Sequence, residues 1–264
     1  MNRMMLLSPI GFLLLPSFAG VAQSPFDGTW KIDMNKVTLP QKPDVYLLQN
    51  GMYSCKSCTP AYTVKADGAD QPVAGQPYFD TAAVKVVSDH EIQETDKKAG
   101  KMVATSDIVV SADGKTATET FTDSSATNGG APVQGKGVYT LVAKGPAGSH
   151  AVSGSWRRTQ LESLSDNAIV WTYKVSGNQI TMTNPTGQSY TARFNGPDAP
   201  MKGDPGITSV SVKKMGNTFE ETDKRGGKVI GVFRVAVAAD GKTAKASYTD
   251  TLQKRTTQFD AVKQ

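Results

Sequence analysis

Apolar and polar side chains alternate along most of this chain in runs too short for helices. The clearest are "TAAVKVVS" (81–88), "HEIQET" (90–95), "KMVATSDIVVS" (101–111), "GVYTLVAK" (137–144), "AIVWTYKV" (168–175), "TSVSVKK" (208–214) and "KVIGVFRVAVA" (228–238). They are rich in Val, Thr, Tyr and Phe, and Gly, Asp, Asn and Pro separate them. A period of two with such punctuation predicts many short strands and tight turns. Beyond the N-terminal segment no helical period stands out. The expected fold class is all-β.

The pattern is also stated twice. Residues 94–123, shifted by 127, fall on 221–250 with 15 of 30 identities and no gap. "YTVKADGADQPVAGQP" (62–77) meets "YTARFNGPDAPMKGDP" (190–205), and "GTW" (28–30) meets "GSW" (154–156). An order of G-x-W, Y-T, G-x-D-x-P, E-T-D and D-G-K-T that recurs in sequence is the mark of a duplicated structural unit. The expected organisation is a first unit over 23–148 and a second over 149–264, with "KGPAGSH" (144–150) as linker. Eight or so antiparallel strands per unit close naturally into an up-and-down barrel, which leaves no open edge. The prediction is therefore two tandem antiparallel up-and-down β-barrels.

Asp113-Gly114 and Asp240-Gly241 sit between alternating runs, where Asp-Gly is a hairpin signal because Gly accepts positive φ. Each offers one carboxylate, too few for a calcium loop, and no helix follows to make a phosphate cradle. "DGAD" (67–70) and "NGPD" (195–198) gather more oxygen ligands, but the Pro and Gly that follow fit a rigid connection.

Residues 1–22 have the form of a secretory signal: Arg3, the apolar "MMLLSPIGFLLLPSF", then the small residues of "AGVA". Cleavage after Ala22 would start the mature chain at Gln23. No later run is long and apolar enough for a transmembrane helix. The expected location is exported, periplasmic or secreted. The whole chain carries 29 basic and 24 acidic residues. These charges are scattered singly, without the clustering that nucleic-acid binding requires.

Candidate chemistry is sparse. Cys55 and Cys58 are the two cysteines, and Thr183 and Thr186 occupy their places in the second repeat. Three readings stand open: a short disulfide suited to an exported chain, thiol redox exchange, or half of a soft-metal site. His90 lies in "HEIQET", half of a zinc-protease motif on a strand period, and His150 lies in the linker. Glu94, Asp96, Glu119, Glu221 and Asp223 are expected on solvated faces of strands. No catalytic residue, metal site or cofactor is assigned, and an enzyme is the less expected outcome.

"FDGTWKID" (26–33), echoed by "VSGSWRRT" (152–159), resembles the opening strand of lipocalin and fatty-acid-binding barrels. That resemblance implies that Trp30 and Trp156 close one end of each barrel and stand as barrel-end or interior ligand-binding candidates. It also implies that Gly28 and Gly154 permit close backbone approach. The run of "ADGKT" and a terminal aromatic-x-x-V-x-K strand resembles exported bacterial proteins of unknown function. The expected role is non-catalytic binding of a small apolar or amphipathic ligand. The alternative is an interaction or inhibitor module for an envelope protein, using loops such as "QPYFDT" (76–81). A thiol redox or metal-handling role through Cys55 and Cys58 comes third.

Overall fold

The structure, a computed structural model, describes residues 24–264, so the signal segment expected at 1–22 lies outside the described residues. Alternation becomes strand almost everywhere. The first ten strands are β1 (Gly28–Thr38), β2 (Asp44–Gln49), β3 (Met52–Cys55), β4 (Tyr62–Lys65), β5 (Gln71–Pro72), β6 (Thr81–Ser88), β7 (Glu91–Lys98), β8 (Lys101–Val110), β9 (Thr116–Asp123) and β10 (Val133–Lys144). Then come β11 (Gly154–Leu164), the single helical turn α1 (Asp166–Ile169), β12 (Val170–Ser176), β13 (Gln179–Thr183), β14 (Ser189–Arg193) and β15 (Ala199–Pro200). The last are β16 (Ser209–Met215), β17 (Thr218–Arg225), β18 (Lys228–Val237), β19 (Thr243–Asp250) and β20 (Arg255–Lys263). The predicted strand over 168–175 thus loses its first two residues to α1.

These strands form two ten-stranded antiparallel sheets, each curled into a nearly closed barrel. The first barrel follows the order β4-β3-β2-β11-β10-β9-β8-β7-β6-β5 and the second β14-β13-β12-β1-β20-β19-β18-β17-β16-β15. Curling brings β4 against β5 and β6, and β14 against β15 and β16. Each barrel has its own apolar core, one around Trp156, Tyr53, Ile92 and Val84, the other around Trp30, Phe219, Ile180 and Tyr190.

The sheets cut across the repeats. β11, the opening strand of the second repeat, pairs with β10 and β2 in the first barrel. β1, the opening strand of the first repeat, pairs with β12 and β20 in the second. The divisions 23–148 and 149–264 therefore describe the duplication and not the barrels. In space the first barrel takes its strands from within 44–164, and the second takes β1 together with β12–β20.

"KGPAGSH" is accordingly a hairpin loop, not a linker between barrels. The Gly145 amide donates to Ser153 O at 3.1 Å, and the Ser149 hydroxyl donates to Pro146 O at 2.7 Å. So tight a loop lays β11 beside β10, as sequential antiparallel strands prefer. The chain passes between barrels instead at 39–43 and at α1.

The two G-x-W strands pack alike. The Trp30 indole donates to Phe26 O at 2.9 Å, and that of Trp156 donates to Val152 O at 2.8 Å. Both rings are buried, with 1% and 2% exposure. Lys263, from β20, places its ammonium 4.9 Å from the Trp30 ring centre, a cation–π contact. A side chain at Gly154, whose φ is +144°, would meet Ala143 O at 2.5 Å, so this glycine is required where β11 crosses β10. The Asp-Gly turns also form: Gly114 and Gly241 have φ of 67° and 66°. Asp113 accepts from the Lys115 amide, and Asp240 from the Lys242 and Thr243 amides.

Candidate functional site

Ile92, Glu94 and Asp96 occupy alternate positions of β7 and so share one face. Ile92 is wholly buried in the first core, which turns Glu94 and Asp96 inward as well. Phe219, Glu221 and Asp223 repeat the arrangement on β17, with Glu221 6% and Asp223 3% exposed. The expectation of solvated carboxylates is corrected at these positions. Parity with the buried Ile92 and Phe219 was the available signal, and the identical E-T-D of the two repeats pointed the same way.

Tyrosines hold these acids. Tyr62 donates to Glu94, and its counterpart Tyr190 donates to Glu221. Glu119, on β9, accepts from Ser106 at 3.1 Å and from Tyr139, and Arg158 of β11 reaches it at 2.9 Å. Arg158 also donates to the Tyr139 hydroxyl. The opening strand of the second repeat thus supplies the cation of the first barrel's interior.

Around these groups lies a chamber of about 490 Å³, walled by Tyr46, Tyr53, Tyr62, Phe79, Phe121, Glu94, Asp96, Glu119 and Arg158. Ile207, Arg225, Tyr248, Asp250 and Gln253, from the second barrel, complete its mouth. A second chamber of about 360 Å³ lies inside the other barrel, against Ile32, Trp171, Tyr173, Phe233, Phe259 and Glu221. Trp171 meets two of its rings edge to face, Phe233 at 6.0 Å and Phe259 at 6.2 Å. Asp123 borders both chambers.

Each chamber is bordered by a loop from the other repeat's strands. Residues 124–132 reach the second barrel, where Gln188 donates to Ala126 O at 2.9 Å and the Asn128 amide to Thr186 O at 2.7 Å. Conversely, Gln253 donates to Ser57 O at 3.3 Å in the first barrel, and Lys42 donates to Gln253 O at 2.7 Å. Arg255 pairs with Asp44 at 2.8 Å beside this contact.

Trp30 and Trp156 are not chamber walls. Trp156 borders only a void of about 10 Å³ that shares Tyr46, Ile108 and Glu119 with the first chamber, and Trp30 is sealed in the second core. Both are packed into the apolar cores, Trp30 into the second and Trp156 into the first. Cys55 and Cys58 do border the large chamber, joined as a disulfide. No free cysteine stands among the described residues. In the second barrel the same turn is tied by Asn184, whose side-chain oxygen accepts from Thr186 at 2.8 Å and from the Gln188 amide at 2.9 Å. The disulfide is the covalent version of that tie. A loop so short gains only about 2 kcal/mol from closure by the chain-entropy relation.

The remaining sequence candidates resolve as structure. Asp70 and Asp198, of "DGAD" and "NGPD", pair with Lys97 and Lys224. His150 packs its ring nitrogen 2.7 Å from Ser88 O, within the loop network that precedes β11. The "QPYFDT" loop is half-buried: Tyr78 donates to Asp204 at 3.2 Å, and Phe79 faces the chamber. Among the described residues no group of three or more His, Cys, Asp or Glu side chains converges as a metal site. No helix among them is long and apolar enough to cross a membrane.

Burial sets the protonation of the inward acids. It pushes Asp96 up to about 8, with Glu94 and Asp123 adding to the rise. It raises Glu94 above the ordinary carboxylate range even though Tyr62 opposes it. Burial and then Asp223 raise Glu221 well up, and burial brings Asp223 to about 6. Folded-state values above unfolded ones mean that the folded protein binds protons the unfolded chain releases. Their contribution to stability is whole below about pH 4 and is lost as pH rises through those values. The melting temperature is expected to fall between about pH 5 and about pH 8.5. Asp96→Asn should flatten the upper part of that decline in a differential scanning series.

No protein-family model matches this chain, and no curated protein matches it either.

Proposed function

We propose that this chain is an exported binding protein that holds a small amphipathic ligand inside its barrels. The observation that carries this reading is the first chamber: about 490 Å³ of space ringed by aromatic faces and inward polar groups, in a barrel with its own packed apolar core. Small barrels without ligands fill their interiors with side chains, whereas ligand sites combine apolar wall with a few placed polar groups. Here Ile92, Trp156 and Val84 fill the core, and tyrosines and carboxylates line an open volume in the same barrel. The signal-like N-terminus and the Cys55–Cys58 disulfide fit export to an oxidising compartment.

N-phenyl-1-naphthylamine, a neutral probe that brightens in apolar surroundings, tests the reading. Saturable uptake by the folded chain at one to two equivalents is expected. No saturable signal up to the solubility limit of the probe would end it.

A further inference from the structure

The polar groups of the first chamber are unequal in their partners. Glu119 is matched by Arg158 at 2.9 Å. Asp123 accepts from the Ser125 amide at 2.7 Å, and Asp250 accepts from the Leu252 and Gln253 amides at 2.8 Å. Arg225 spends its Nε on Gly206 O at 2.7 Å. Glu94 has only tyrosine hydroxyls, Tyr62 and, at 3.5 Å, Tyr53. Asp96 receives no hydrogen bond from any described residue, and its Oδ1 is buried without a partner. Two adjacent inward acids therefore border an open, aromatic-walled volume with no cation of their own.

We propose that the first chamber is a site for an amphipathic organic amine, its ammonium seated on Asp96 and Glu94 and its apolar part against Tyr46, Tyr53, Tyr62 and Phe79. The inference rests on the reading of the barrel interior as a ligand site and names the chemistry of the ligand. An unpaired buried carboxylate is costly, and a bound cation removes that cost while offering the hydrogen bonds Asp96 lacks. Tyr46 and Tyr53 stack at 6.1 Å, and Tyr62 meets Phe79 edge to face at 5.8 Å, so the apolar wall also presents ring faces that attract ammonium groups. A bare metal ion fits poorly, since no three ligand side chains converge among the described residues. An anion would meet Glu94, Asp96, Asp123 and Asp250 against two arginines already engaged. The raised pKa of Asp96 agrees: burial and the facing Glu94 and Asp123 hold a proton where a counter-ion is missing.

Calorimetric titration of the mature chain near pH 7 with 2-phenylethylamine, the neutral 2-phenylethanol and the anionic 3-phenylpropionate separates the possibilities. The amine is expected to bind at least about tenfold more tightly than the alcohol, or about 1.4 kcal/mol. The anion should bind weakest. Asp96→Asn should bring the amine down to the level of the alcohol and leave the alcohol unchanged. Asp223→Asn, in the other barrel, should leave both unchanged. Equal binding of amine and alcohol, or a preference for the anion, overturns the amine and leaves the chamber as a site for another ligand class. Binding by none of the three, together with failure of the naphthylamine probe, overturns the chamber reading as well. An amine preference lost in Asp223→Asn but kept in Asp96→Asn overturns the assignment to the first barrel.

Discussion

Residues 39–164 expressed alone are expected to fold, whereas residues 23–148, the first repeat as the sequence divides it, are not. The 23–148 cut leaves β10 and β2 without β11, which lies between them. It deletes Trp156 from the core, Arg158 from Glu119 and the tight 144–153 loop. A ten-stranded barrel with a missing central strand exposes two open edges and a hole in its floor. The 39–164 fragment instead holds β2–β11 in unbroken order, with all its hairpins and the Cys55–Cys58 tie. Near-ultraviolet circular dichroism and amide dispersion in NMR spectra read the outcome. A native-like 23–148 fragment would contradict the exchange of opening strands.

The same exchange makes Trp30→Ala an expected lesion of the second barrel. Trp30 lies among Phe26, Tyr173, Phe219 and Ala261, and its indole satisfies Phe26 O. Truncating a buried tryptophan costs about 3–5 kcal/mol, through lost burial and the cavity left behind. Trp156→Ala should cost a similar amount in the first barrel, where it also removes the indole donor to Val152 O. Hydrogen exchange followed peptide by peptide distinguishes the two. Trp30→Ala should speed exchange in β12 and β17–β20, far in sequence from the substitution, and spare β6–β9. Loss of protection confined to β2–β10 would show that the opening strand belongs with its own repeat.

The fold and the chamber were not equally readable in the sequence. Strands, Asp-Gly turns and duplication follow from period, turn chemistry and internal identity, all of which are local. Which barrel each G-x-W strand closes is not local. Gly28–Thr38 and Gly154–Leu164 carry the same motif with the same face apolar, so either can pair beside β10 or β20. The decision falls to the 144–153 loop, whose Gly145–Ser153 and Ser149–Pro146 bonds close it as a hairpin.

The chamber was hidden for another reason. Glu94 and Asp96 look like surface residues by type, and only their parity with Ile92 places them inside. Arg158 could not be linked to Glu119 before the exchange was known. The mouths are likewise long-range constructions, since Ser57 and Gln253 are nearly two hundred residues apart and meet only because the barrels face one another. Gly231 marks how tightly the second interior is filled. A side chain there would lie 2.3 Å from the Tyr248 hydroxyl, while Ala104 holds the corresponding place in the first barrel.

The most direct test of the proposed ligand site is a crystal structure of residues 23–264 saturated with N-phenyl-1-naphthylamine. Density for the probe is expected inside a barrel, against Tyr53, Tyr62 and Phe79, or in the smaller chamber against Trp171 and Phe233. Probe bound only to the outer faces of the sheets, with both interiors occupied by rearranged side chains, would contradict it.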